Sequence, residues 1–136
     1  MGEYTVKLTH DSVKKDRVHL VCMAEDGACN YADVVEGGAV VVKGDAIDGV
    51  EVIDPLTVKF SSSAKFRMLA VVHRVGYRDD KNINLRVTAS TAKDGVVYSC
   101  KFAFKPSEDV NGLEVLTVDN DRLTYSSKEV LFEHLK

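Results

Sequence analysis

Residues 83–90, Ile83-Asn84-Leu85-Arg86-Val87-Thr88-Ala89-Ser90, alternate apolar and polar side chains without a break. Successive side chains of a strand point to opposite faces, so Ile83, Leu85, Val87 and Ala89 share one face and Asn84, Arg86, Thr88 and Ser90 the other. One covered face and one open face is the pattern of an antiparallel sheet. The flanks extend it. Residues 91–95 (TAKDG) form a turn into Val97–Lys105, where Tyr98, Cys100, Phe102 and Phe104 lie opposite Ser99, Lys101, Ala103 and Lys105. Upstream, Phe66–Arg74 is an apolar run that the polar turn 76–82 joins to the return strand as a long hairpin.

The same period organises the N-terminal part. Tyr4, Val6 and Leu8 alternate with Thr5, Lys7 and Thr9, and Arg17–Met23 reads as the hairpin partner across the turn 11–16, giving an N-terminal hairpin over 1–24. Residues 25–38 read as a glycine-containing loop, followed by short strands at Ala39–Lys43, Val50–Ile53 and Leu56–Phe60, with Pro55 marking an edge. The main sheet is expected over 39–105. After Pro106 the character changes. Ser107 is placed as a helix N-cap with Glu108 and Asp109 in the first turn, where the helix dipole favours acids. Ser126 or Ser127 precedes the apolar stripe Val130, Leu131 and Leu135, although Asn111-Gly112 interrupts the first helix. The expectation is a single α+β domain over 1–136. An antiparallel meander of six or seven strands would carry a helical part at 107–136 on one face.

At 136 residues the chain is long enough to bury one core without disulfides. No apolar stretch approaches ~18 residues, the length of a membrane-spanning helix, and MGEYTVKLTH lacks the charged leader and apolar run of a signal peptide. The three cysteines read as reduced thiols, with Cys22 and Cys100 buried in strands and Cys29 the one placed to meet another copy. His10, His19, His73 and His134 sit on four separate elements without zinc-ligand spacing, and no CxxC occurs. Acid pairs such as Asp79-Asp80 and Asp119-Asn120-Asp121 read as turns rather than calcium loops. No phosphate-cradling glycine loop and no nucleophile motif is present. The sequence therefore points away from an enzyme, a small-molecule substrate, a metal or another cofactor.

Charge is the remaining functional signal. Residues 61–105 hold nine Lys/Arg against three Asp, whereas the rest of the chain holds nine Lys/Arg against eighteen Asp/Glu. Cations concentrated on one stretch of an otherwise acidic chain suggest a surface that faces a polyanion. The candidate face gathers Asn84, Arg86 and Thr88 with Lys101 and Lys105, and Arg67 or Arg74 from the preceding strand. Arg and Lys meet phosphates, while Asn and Thr bond to sugars and base edges. The alternative is a solvated sheet face whose charges serve solubility. Tyr98 has the parity of the apolar set, which leaves Tyr77, in the turn, as the aromatic placed for stacking.

The order of elements resembles the coat proteins of single-stranded RNA bacteriophages. YTVKLTHDSVKKDRVHLV resembles their first hairpin, KFRMLAVVHRVGYRDDKNINLRVTAS their central one, and VVYSCKFAFKPSEDV their last strand running into helices. The resemblance implies a homodimer whose sheet continues across the pair, with helices interlocked over one face. It also implies self-assembly into an icosahedral virion shell in the bacterial cytoplasm, with single-stranded RNA packaged on the inner face. In several members that face grips one RNA hairpin and represses replicase translation. On the resemblance Asn84, Arg86 and Thr88 are RNA contacts, followed by Lys101 and Arg74. A non-viral all-β module for a protein or single-stranded nucleic acid is the competing expectation.

Overall fold

The computed structural model describes residues 2–12, 18–72, 82–107 and 109–132. Within them twelve strands run in order: β1 (Glu3–His10), β2 (Val18–Met23), β3 (Cys29–Val34), β4 (Val40–Gly44), β5 (Val50–Asp54), β6 (Thr57–Ser61), β7 (Lys65–Val72), β8 (Ile83–Thr91), β9 (Gly95–Phe104), β10 (Gly112–Asp119), β11 (Arg122–Tyr125) and β12 (Glu129–Val130). They build two antiparallel sheets. The five-stranded sheet is ordered β5-β6-β1-β8-β9. The seven-stranded sheet is ordered β11-β10-β7-β2-β3-β4, with β12 paired to β10. The mainly β, antiparallel expectation holds, but the architecture is a sandwich rather than one meander covered by helices.

The period-two pattern places the core between the sheets. Val6, Leu8, Val58, Phe60, Ile83, Leu85, Val87, Ala89, Phe102 and Phe104 enter it from the five-stranded sheet; Leu20, Cys22, Phe66, Met68, Ala70 and Val118 are among those from the other. Phe60 stacks on Tyr4 with centroids 4.9 Å apart and meets the edge of Phe66, on the facing sheet, at 5.3 Å. The apolar face that helices were expected to cover is covered by this second sheet.

Three expected connections change partner. Residues 1–24 do not form a hairpin, because β1 pairs with β6 and β8 while β2 pairs with β3 and β7. Nor do residues 66–90, since β7 and β8 lie in opposite sheets. The expected loop 25–38 contains β3, joined to β2 by a tight turn in which Ala24 N–H donates to Ala28 O at 2.8 Å. Alternation fixes which face a residue belongs to but not which strand lies beside it, and that is where these readings failed.

No described residue of the expected helical part 107–136 is helical. Ser107 does make the cap-type bond, its Oγ accepting from Val110 N–H at 3.2 Å, but its own N–H bonds back to Val110 O at 2.7 Å and closes a turn. The chain then runs as β10, in which Leu113, Val115, Leu116 and Val118 are buried around a bulge at 114–116. Asn120 and Asp121 both take positive φ (45° and 68°), forming the two-residue turn of a β-hairpin to β11. The turn reading of 119–121 was right; its flanks are strands.

The segment 126–132 is a strap over the outer face of the seven-stranded sheet. Phe132 packs there on Val21, Leu69 and Val71. β2 and β7 are thus apolar on both faces, which explains why VHLVCM and FRMLAVV read as near-continuous apolar runs. Asn111 fastens the strap: its Nδ2 donates to Phe132 O at 2.8 Å, and its Oδ1 accepts from Phe132 N–H at 2.5 Å. At Gly112 a Cβ would come within 2.8 Å of the Val130 side chain, so only glycine lets β12 approach. The Asn-Gly pair that interrupted a helix is the seat of this strap.

Candidate nucleic-acid interface

The open face of the five-stranded sheet is built by the alternation of β8 and β9. Ile83, Leu85, Val87 and Ala89 are buried, Asn84 and Arg86 are exposed, and Thr88 is half-buried on the outer side. On β9, Phe102 and Phe104 are buried while Ser99, Lys101 and Ala103 are exposed; Lys105 is exposed just beyond the strand. Asn84, Arg86, Thr88, Lys101 and Lys105 therefore share one face, as read from the sequence. Arg74 lies outside the described residues, as do Tyr77 and His73.

The registers show which of these side chains meet. Arg86 lies directly opposite Lys101 on β9 and Thr9 on β1. One row along, Lys7 lies between Thr57 and Thr88; in the next, Lys59 is opposite Thr5. Lys59, Lys7 and Arg86 thus step diagonally across β6, β1 and β8, and Lys101 continues the last row onto β9. From the strand spacing and the two-residue rise, successive steps along the diagonal are roughly 8 Å. Hydroxyls of Thr5, Thr9, Thr57, Thr88 and Ser99 fill the positions between them.

Among the described residues none of these four cations makes an ion pair; Arg86 donates to Ser99 Oγ at 3.1 Å. Like charges directly opposite across a sheet are destabilising, so the Arg86–Lys101 pair is held against its own repulsion. Other cations differ. Arg67, expected as one candidate for this face, does not join it: with Lys65 it lies on β7 of the seven-stranded sheet, where Lys65 is 3.7 Å from Glu25 and Arg67 3.9 Å from the buried Glu114. The described part of the basic window is thus divided between two sheets, and of that part the β8–β9 portion lies on the open face.

Asn84 is engaged within the chain. Its Nδ2 donates to Asp11 Oδ2 at 2.7 Å and its backbone N–H to Asp11 Oδ1 at 2.8 Å. These bonds, the side-chain one first, hold the Asp11 carboxyl below its ordinary range. Asn84 therefore fixes the end of β8 against β1, and an open groove of about 630 Å³ runs beside it, lined by Thr9, His10, Arg86, Lys101 and Phe102. Tyr98 is turned into the sandwich, its hydroxyl donating to Val115 O at 2.8 Å. The described part of β8 and β9 presents no outward aromatic ring for base stacking.

Lys7 and Lys59 were missed as members of the site. The alternation of β1 put Lys7 on a polar face with Thr5 and Thr9, but only the pairing of β1 between β6 and β8 brings that face to Arg86. Cys22 is buried as expected, whereas Cys29 and Cys100 are half-buried, and no disulfide forms among them. No protein-family model matches the chain, and no curated protein or solved structure is significantly similar to it.

Proposed function

We propose that the protein is a structural, non-catalytic subunit that binds single-stranded RNA along the diagonal Lys59–Lys7–Arg86–Lys101 and assembles with further copies into a shell. The observation that carries this reading is the set of four cations on four adjacent strands of one open face, with Arg86 and Lys101 opposed in register and no ion pair among the described residues. An anion that bridges Arg86 and Lys101 converts their repulsion into shared attraction. Threonine and serine hydroxyls between the cations supply further donors to phosphate and sugar. With no outward ring on β8 or β9, contacts fall on the backbone of the nucleic acid rather than on stacked bases. Binding is then strongly salt-dependent and nearly indifferent to sequence, and repression through one hairpin is the less favoured role.

The coat-protein resemblance supplies the shell in this proposal. The sandwich places a second sheet where that family's interlocked helices would lie, so contacts between copies must run through sheet edges or loops.

The test is nucleic-acid content after expression in bacteria. Wild-type protein should elute from a sizing column as a large, nuclease-protected particle containing RNA. The double variant Arg86→Glu/Lys101→Glu should keep its fold and lose the RNA, and Lys7→Glu should weaken retention. A clean small species free of RNA, or unchanged RNA in the double variant, would overturn the reading.

A further inference from the structure

β4 is a free edge of the seven-stranded sheet and is exposed along its whole length. Its sequence, Val40-Val41-Val42-Lys43-Gly44, leaves Val40, Val41 and Val42 about 45, 39 and 51% accessible, beside Val34 at 48% on β3. Val34, Val40 and Val42 share the parity of the core residue Ala32 but lie beyond its cover. Other edges carry protection. β5 is broken by a bulge, β11 has four residues, and β9 presents Lys101 with Lys105 just beyond its end. Lys43 does not guard β4 in that way, because its Nζ is tied back to Asp33 at 3.3 Å.

The ladder also fixes which backbone groups face outward. Val35 N–H donates to Ala39 O at 2.9 Å, and Asp45 N–H to Cys29 O at 2.7 Å, at the two ends of the β3–β4 hairpin. Counting inward from both ends, the hydrogen-bonded pairs are Tyr31–Lys43 and Asp33–Val41. The N–H and C=O of Val40 and Val42 therefore point away from β3, with Val42 at the centre of the strand.

We infer that β4 pairs antiparallel with β4 of a second copy about a two-fold axis at Val42. In that register Val42 faces Val42 of the second copy and the two exchange both backbone bonds, while Val40 faces Gly44. Val41 faces Lys43 of the second copy, so no like charges are opposed and each lysine gains a second acid, Asp33, in the same row across the join. A five-residue strand centred on its outward-facing residue is self-complementary as a two-fold contact requires, and the valines exposed on each copy merge into one apolar patch. A second copy fits this edge better than an unrelated strand, because charge and hydrogen-bond parity are both met by the same five residues. The inference rests on the proposal that copies assemble and assigns one of their contacts.

Protein freed of nucleic acid in high salt tests it. Light scattering should give twice the chain mass, and the amides of Val40 and Val42 should gain hydrogen-exchange protection with rising concentration while Val41 does not change. Val42→Pro removes an N–H that the isolated chain does not use, so it should give a folded monomer that still binds RNA on its other sheet. A wild-type monomer throughout the concentration range, concentration-independent exchange at Val42, or a dimer untouched by Val42→Pro would overturn the inference. Loss of RNA with the dimer intact is instead the failure tested by Arg86→Glu/Lys101→Glu.

Discussion

Asn111 carries much of the C-terminal organisation through one side chain. Its amide satisfies both backbone groups of Phe132 in a buried site, and removing one partner of a buried bond leaves the other unsatisfied, at about 1–3 kcal/mol. Asn111→Ala is therefore expected to lower unfolding stability by about that amount in urea titration, and Asn111→Asp to lower it at least as far at neutral pH, because it turns a buried carboxylate oxygen against the Phe132 carbonyl. Asp11 gives a pH prediction. Its carboxyl is depressed in the folded chain by the Asn84 side chain and then by the Asn84 backbone N–H. The stabilisation is thus present above the unfolded value of about 3.9 and is lost as pH falls through the lower folded value. NMR should show the Asn84 side-chain amide unchanged from neutrality to mildly acidic pH and shifting only below it; a shift centred near neutral pH would contradict the pairing. At Cys22, burial first and the neighbouring Cys29 second push the thiol up to about 12. Alkylation followed by mass spectrometry at mildly alkaline pH should leave Cys22 unmodified until the chain unfolds.

For the hairpin β8–β9, stability and binding are expected to move in opposite directions. Lys101→Glu replaces a like-charge cross-strand pair with an attractive one, worth about 0.2–1 kcal/mol, so thermal stability should rise slightly. RNA affinity should fall with it, and the salt dependence of binding should become shallower. A variant that loses stability and affinity together would mean that Lys101 serves packing instead. The face of this hairpin was legible in the sequence because eight residues alternate without exception and the side chains of a strand have no choice but two sides. The hairpins expected at 1–24 and 66–90 were not legible. A run such as FRMLAVV, apolar on both faces, states that a strand lies centrally but not in which sheet. The C-terminal strands were hidden for a different reason: Ser107 makes the short-range bond that also begins helices, and only the next residues decide against one.

For the whole molecule, the two sheets cover each other, so the inner faces are spent on the core and function is left to outer faces and edges. The outer face of one sheet is closed by the Phe132 strap and the Arg67–Glu114 pair; that of the other stays open and cationic. The sequence by itself determined the mainly β class, the parity of residues 83–90 and 98–104 on β8 and β9, and the presence of Arg86, Lys101 and Lys105 on one polar face. These follow from local stereochemistry, which a two-residue period reports directly. Only the tertiary structure decided that the chain is a sandwich, that Lys7 and Lys59 join Arg86, that Lys65 and Arg67 of the basic window are diverted to the opposite sheet, and that β4 is left as an open edge. Those outcomes depend on strand order, set by contacts between residues far apart in the chain, and no local pattern of charge or hydrophobicity encodes which strand will be the neighbour.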